Sequence, residues 1–372
     1  MEPSLRNYAI LFVIVLTSVY FGNQLKKATD MLEQKEDQEL IQKYLLNETK
    51  ITEMAKASTA TEVAKATRPK LWIHIKYDKN SRKWSSFGSR SNYHLNQPYL
   101  HLTIKSIIQH CGNDFHVCLI EDDSFAKLLP DWRFNMSQLA EPFLSRAREY
   151  GMAQLLYKYG GMTLPPSFVC FRNLISFYKK AMAGNVPFVT ERVNHHAQIT
   201  HQDKRLLFVP DSYIMGCQQG DATIRKWMEL LEGQIGPHFQ SQTEFLGVSN
   251  QWFLDAIQGG AMTLIDGTFV GVKTADRRAI LLDDLMEMAP LNLDPTCFGV
   301  YIPADELLKR NKYEWYAVLS TDELLRSKPI LTKYLIQSLY TIFTNDGGDA
   351  NLDMMEPAPK YVIPSQVGGG GI

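Results

Sequence analysis

The apolar positions of this chain change period several times, and each change predicts an element. Leu71 to Ile75 (LWIHI) is a short, nearly continuous apolar run, the pattern of a buried strand. From Gln97 to Cys111, Leu100, Ile104, Ile107, Ile108 and Cys111 recur at helical spacing on one face. Phe115 to Ile120 (FHVCLI) returns to a buried strand, Glu121, Asp122 and Asp123 follow at its carboxyl end, and Ser124 starts a short helix. Strand, helix, strand, helix predicts a βαβ unit in a parallel sheet. Ligands of open α/β sheets sit outside the carboxyl ends of the strands, so the acidic turn and the residues after LWIHI are where a site is expected.

The alternation continues. A helix with Met152, Leu155, Leu156 and Tyr159 on its apolar side stops at Gly160-Gly161, where positive φ is cheap, and a strand begins at once. Phe188 to Thr190 and Leu206 to Val209 read as strands. Asp221 caps a helix with Ile224, Trp227, Met228 and Leu231 as its core face. Ser249 to Trp252 opens another helix that ends near Gly259-Gly260. Met262 to Ile265, Asp266-Gly267 and Thr268 to Val272 predict a hairpin with a two-residue turn. Ser320 to Glu323 (STDE) is a capping box that begins a final helix.

Outside this unit the pattern differs. Tyr8 to Phe21 (YAILFVIVLTSVYF) carries no charge and, with Asn7 and Gly22 to Leu25, approaches the ~17 residues that span a thin bilayer. A cleaved signal peptide is the competing reading, but Tyr20 ahead of Gly22 fits a small-residue cleavage site badly. The expected organisation is a cytoplasmic tail (1–7), a transmembrane signal anchor (8–25), a polar stem (26–68), one α/β domain (69–344) and a tail rich in Gly and Pro (345–372). The short leading segment favours a type II arrangement, although Arg6 on one side and Lys26 and Lys27 on the other leave the charge rule undecided.

Composition adds exclusions. With 45% hydrophobic residues and a net charge of -1, the chain of 372 residues is neither mainly disordered nor collagen-like, and it offers no overall basic charge for nucleic acid. Its five cysteines show no zinc spacing and read as buried thiols. Sequons at Asn47-Glu48-Thr49 and Asn135-Met136-Ser137 are compatible with a lumenal domain, in the Golgi or ER. No Walker loop, GxGxxG or Ser/His/Asp order supports an NTPase, dinucleotide enzyme or hydrolase.

The segment RAREYGMAQLLYKYGGMTLPPSFVCFRNL, Arg146 to Leu174, carries a resemblance. Leu155-Leu156-Tyr157-Lys158-Tyr159-Gly160-Gly161-Met162 resembles the sugar-donor region of GT-A-fold glycosyltransferases with a DXD motif, the group of yeast-type mannosyltransferases, capsule-synthesis enzymes and clostridial toxin domains. Asp211 to Cys217 resembles the stretch after the donor site in these enzymes, where a strand leads to a helix. The resemblance implies a Rossmann-like GT-A sandwich with a mixed central sheet, and transfer of a sugar from a nucleotide donor to a glycan, protein or lipid acceptor. The flanks depart from the pattern. Glu149 stands at the family's Asp position, Met152 at its Arg position, and Pro165, Pro166 and Ser167 where Asp-x-Asp is expected. The family's Mn²⁺ or Mg²⁺ would lose its ligands there, so no cofactor or metal site is predicted and cationic side chains would have to meet the departing diphosphate.

The resemblance and the strand-end rule together nominate residues. Trp72 and His74, at the end of the first strand, are candidates for the nucleotide base and ribose, and Trp72 equally for plain core packing. Asp122, Asp123 and Glu149 are candidates for binding sugar hydroxyls or acting as general base, with Asp123 alternatively a helix cap. Arg146 and Arg148 head the cations, followed by Lys273, Arg277, Arg278, Lys309 and Arg310. Asn250, Gln251 and Trp252 are the polar and aromatic group that similar enzymes bring to the site. The alternative to a metal-independent transferase is a catalytically inactive glycosyltransferase-like domain that binds a glycan or scaffolds a partner enzyme, which the missing Asp-x-Asp favours.

Overall fold

A computed structural model describes residues 68–76, 97–194, 207–235 and 247–340, with the single positions 20, 39, 43 and 44. The expected membrane segment apart from Tyr20, most of the stem and the whole tail lie outside the described residues. Among the described residues, no helix is long and apolar enough to cross a membrane.

The strands are β1 (Lys70–His74), β2 (His116–Ile120), β3 (Gly161–Thr163), β4 (Phe168–Cys170), β5 (Phe188–Val193), β6 (Phe208–Cys217), β7 (Thr263–Ile265) and β8 (Gly299–Tyr301). The helices are α1 (Pro98–Cys111), α2 (Asp122–Leu128), α3 (Phe143–Tyr159), α4 (Ile175–Ala181), α5 (Ala222–Ile235), α6 (Val248–Gln258), α7 (Leu282–Met286), α8 (Ala304–Lys309), α9 (Glu314–Val318), α10 (Thr321–Leu325) and α11 (Ile330–Tyr340). The fold is α/β. Its main sheet runs β2-β1-β3-β6-β5-β7, and β4 pairs with β8 in a separate ribbon. β1 is parallel to both β2 and β3, β6 is antiparallel to β3 and β5, and β5 is parallel to β7. The sheet is therefore mixed. β1, β3 and β5 point the same way, with only β6 reversed among the main-sheet strands.

Both faces of β1 and β2 are covered, which is why they read as unbroken apolar runs. Trp72, Cys118, Leu155, Leu156, Val189, Met215, Trp227 and Phe253 meet in one core cluster beneath α3, α5 and α6. Burying each of the larger side chains contributes about 1.5–3 kcal/mol. The apolar side of α3 is centred on Ala147, Tyr150, Ala153, Leu155 and Leu156, and Gly151 lets the Phe125 ring lie against the helix backbone. Met152 and Tyr159 are only half-buried, at the edge of that side.

Gly160 ends α3 at φ 68° and Gly161 follows at φ 100°, the left-handed region that glycine tolerates. This double-glycine turn folds the chain back so that β3 enters the sheet beside β1. The Trp72 indole donates to the Gly160 carbonyl at 3.0 Å and fixes the turn against the core.

Two expectations differ from the structure. The segments from Phe208 and to Cys217 are one strand of ten residues, β6, rather than two elements. The expected hairpin after Asp266-Gly267 does not form. The Asp266 side chain accepts from Thr268 N, Glu191 accepts from Gly267 N, and Gly267–Val270 closes a 3₁₀ turn. Tying those backbone amides to carboxylates removes them from a ladder, so β7 pairs only with β5.

Candidate functional site

Where β1 and β3 run out, the sheet opens into a cavity of about 560 Å³. His74, Ile75 and Lys76 border it from the end of β1, and Thr163 to Ser167 from the end of β3. Arg192 comes from the carboxyl end of β5 and Tyr301 from β8. Strand β6 runs the opposite way and contributes its early residues. Between Val189 and Thr190 the partner on β6 jumps from Met215 to Asp211, leaving Ser212, Tyr213 and Ile214 outside the register. That bulge brings Asp211, Ser212 and Tyr213 to the cavity wall. Helix α3 completes one side with Arg146, Arg148, Glu149 and Met152, and α6 brings Asn250 and Phe253.

Two charge networks organise the wall. At the β1 end, Asp122 takes a bidentate pair from Arg148, Nε to Oδ1 at 2.9 Å and Nη2 to Oδ2 at 2.8 Å, and lies 2.9 Å from His74 Nε2. Partial burial works against the Asp122 carboxylate, but hydrogen bonds from His74 and Arg148 outweigh it and hold the group well below the usual range. The His74 ring stacks on Phe125 with centroids 5.3 Å apart, and burial lowers its pKa. This network carries its charge in a fixed, neutralised pair.

The second network surrounds Glu149. Its Oε1 accepts from Ser212 Oγ at 2.7 Å. Loss of solvent around the carboxyl, reinforced by the negative charge of Asp211, outweighs the Ser212 hydrogen bond and the nearby Arg146 and Arg192, and pushes its pKa up to about 7. Glu149 is thus a carboxyl poised near neutrality at the wall of a cavity. Arg192 pairs with Asp211 at 3.3 Å, and its guanidinium lies 5.8 Å from the Tyr213 ring centre and 5.6 Å from that of Tyr301. Tyr301, followed by Asp211 and Tyr213, keeps that guanidinium charged against the cost of burial.

The nominated residues therefore separate. His74, Arg146, Arg148, Glu149 and Asn250 line the cavity, and Asp122 stands directly behind two of them. Arg146 donates to the Gln234 carbonyl at 3.3 Å, and Asn250 donates to the Pro210 carbonyl at 2.7 Å. Trp72 is fully buried beneath Gly160 and presents no face to a nucleotide base, so packing is its role. Asp123 is exposed in the first turn of α2 and away from the cavity lining. It is not the cap either, since Glu121 precedes the helix and its N–H donates to Ser124 Oγ. Gln251 turns to Asp255, and Trp252 packs edge-on to Phe253. Of the further cations, Lys273 is buried against Glu191 and Asp266, Arg278 pairs with Asp284, and Arg310 with Asp283 and Glu306. None of Lys273, Arg277, Arg278, Lys309 or Arg310 lines the cavity.

Arg192, Asp211, Ser212, Tyr213 and Tyr301 were not among the nominated residues. A signal for the first was present. Glu191-Arg192 follow the apolar run Phe188 to Thr190 as Glu121 to Asp123 follow FHVCLI, so the strand-end rule applied to both.

The residues at the Asp-x-Asp positions do not fit a divalent ion. Pro165 and Pro166 carry no ligand atoms in their side chains, and the Ser167 hydroxyl donates to the Ile302 carbonyl at 2.8 Å. Among the described residues, no group of three or more His, Cys, Asp or Glu side chains is arranged to hold a metal.

No family model matches this chain, and no curated protein matches it. Among solved structures it is similar to the PaToxG glycosyltransferase, at 11% identity over 62% of this chain and 81% of that one, with a TM-score of 0.30, too low to equate the two folds.

Proposed function

We propose that this chain is a membrane-anchored glycosyltransferase that moves a sugar from a nucleotide-sugar donor to a hydroxyl of a glycan, protein or lipid, without a divalent cation. The observation that carries the reading is the cavity at the carboxyl ends of β1, β3 and β5, where one carboxyl with a pKa near 7 stands among three arginines. The arginines suit an anionic diphosphate. A base poised near the working pH suits abstraction of a proton from an acceptor hydroxyl, with Glu149 in that role. The volume of about 560 Å³ is in the range that encloses a ligand of nucleotide-sugar size. Asp122, behind the wall, fixes Arg148 in one orientation and is itself held by His74, which lines the cavity. The resemblance of Leu155 to Met162 to the GT-A donor region agrees with this chemistry.

The anchor is supported by the uncharged run Tyr8 to Phe21. A lumenal, type II placement in the Golgi or ER is supported by the sequon at Asn135, which lies exposed at the start of a 3₁₀ turn.

A specific observation favours a second reading, a non-catalytic domain that binds the same ligand: Pro165 and Pro166 stand where the related enzymes carry metal ligands. Calorimetry of the full-length chain in detergent against UDP- and GDP-sugars, with donor turnover followed in parallel with and without Mn²⁺, tests both. Binding with turnover unaffected by chelator supports the transferase, and binding without turnover supports the second reading. No binding of any donor overturns both.

A further inference from the structure

The glycosyl-transfer reading leaves one chemical demand open, since the strand end that would hold a cation carries Pro165-Pro166 instead. From the geometry of the opposite wall we infer that Arg192 meets the departing diphosphate in place of a divalent ion. This rests on the transferase reading and assigns the residue that completes it.

The arginines of the cavity are not equivalent. Arg148 has committed both arms of its guanidinium to the two oxygens of Asp122, so its charge is balanced and its orientation spent on that pair. Arg146, also at the cavity wall, has Nη1 engaged with the Gln234 backbone carbonyl on α5. Arg192 makes a single ion-pair contact, Nη1 to Asp211 at 3.3 Å, longer than a strong charge-assisted bond. Its Nε is buried without a hydrogen-bond acceptor among the described residues. The rings of Tyr213 and Tyr301, with centres 4.8 Å apart, lie together on one side of the guanidinium and support it there. A cation that is held by ring faces, only loosely paired, and 28% exposed at a cavity wall has donor capacity left for an incoming anion.

Its placement also fits the reaction. Arg192 belongs to the same charge network as Glu149, the proposed base. In the transfer step the acceptor oxygen bonds to the anomeric carbon while its proton passes to Glu149. The bond from the anomeric carbon to the diphosphate oxygen breaks with its electron pair, and the negative charge gathers on that oxygen. A guanidinium held at the cavity wall by its ring and carboxylate neighbours stabilises that charge with little reorganisation.

Titrating UDP, GDP, uridine and guanosine into the full-length chain and into Arg192→Met and Arg192→Lys tests the assignment. The expected result is that Arg192→Met weakens the nucleoside diphosphate roughly 10- to 100-fold, leaves the nucleoside unchanged, and is partly rescued in Arg192→Lys. Near-UV circular dichroism of each variant separates this from a folding defect. A variant that is folded and binds the diphosphate as tightly as the unmodified chain overturns the role of Arg192 while leaving the transferase reading intact. Failure of the unmodified chain to bind either diphosphate overturns the transferase reading itself, and the assignment with it. If Arg192→Met does not fold, the Lys variant decides: unchanged nucleoside binding with weaker diphosphate binding supports the role, and equal weakening of both overturns it.

Discussion

Two carboxyls on neighbouring elements have opposite fates because their surroundings differ. Asp122 is surrounded by donors, whereas Glu149 is deeply buried beside one hydroxyl and another acid, and that burial outweighs the arginines near it. Asp122 therefore contributes stability that is present at neutral pH and falls away below the ordinary carboxylate value of 3.8. Asp122→Asn is expected to cost roughly 1.5–3 kcal/mol in urea unfolding at pH 7, a difference that should narrow in acid. Equal costs at pH 7 and pH 3 would show that the charge on Asp122 is not what stabilises. Glu149 has the reverse sign. Its folded value lies above the ordinary 4.5, so its contribution to stability is complete below that value and is lost as pH rises through about 7. Over the same interval the base form accumulates, so on the proposed transferase reading turnover should accelerate as stability declines. Glu149→Gln is expected to reduce turnover by roughly 10²- to 10⁴-fold and to flatten both pH profiles. An unaltered rate limb near pH 7 in that variant would assign the proton transfer elsewhere.

Among the elements, the α3–β3 junction and the end of β5 are the most sensitive. A side chain at Gly161 would drive its Cβ into the Lys70 carbonyl, and the φ of 100° is strained for any other residue. Gly161→Ala is expected to cost roughly 3 kcal/mol or more, measured by thermal or urea unfolding. At β5, Lys273 is buried between Glu191 and Asp266, with its ammonium 4.3 Å from the Phe208 ring centre. Lys273→Met would leave Glu191 charged and buried, and roughly 3–5 kcal/mol of stability should be lost. Glu191→Gln combined with Lys273→Met should recover much of it, and failure of the double variant to do so would mean that packing, not charge, holds the trio. These elements were legible to different degrees. The double glycine, β1, α1 and β2 are local patterns, and local patterns survive in a linear reading. β4 and β8 are three residues each and pair across about 130 positions, a relation that no window of sequence contains. The bulge in β6 is likewise a property of its pairing with β5, and it is what brings Ser212 and Tyr213 to the cavity.

For the molecule as a whole, the sequence exposed the parts of the site that follow single strand ends and concealed those that depend on strand order. His74 follows from where β1 stops, and Arg148 and Glu149 from the resemblance carried by the helix that runs into Gly160-Gly161. Arg192 and Tyr301 join them because β5 points with β1 and because β8 fastens to β4, and both facts are global. The anchor is a whole-molecule claim with its own test. Full-length protein expressed in a eukaryotic cell is expected to resist extraction by alkaline carbonate and to lose mass on treatment with an N-glycosidase. A soluble, unglycosylated product would place the domain on the other side of the membrane or free of it.

The β4–β8 ribbon has a consequence for biosynthesis. Tyr301 and, just after it, Ala304, Asp305 and Leu308 line a pocket whose borders begin at His74, so the last piece of the wall leaves the ribosome about 234 residues after the first. A nascent chain halted after β3 but before that point carries the glycine turn and the buried core residues of α3 but an unfinished recess. The competence to hold a ligand should therefore appear abruptly, near the completion of synthesis, rather than growing in step with chain length.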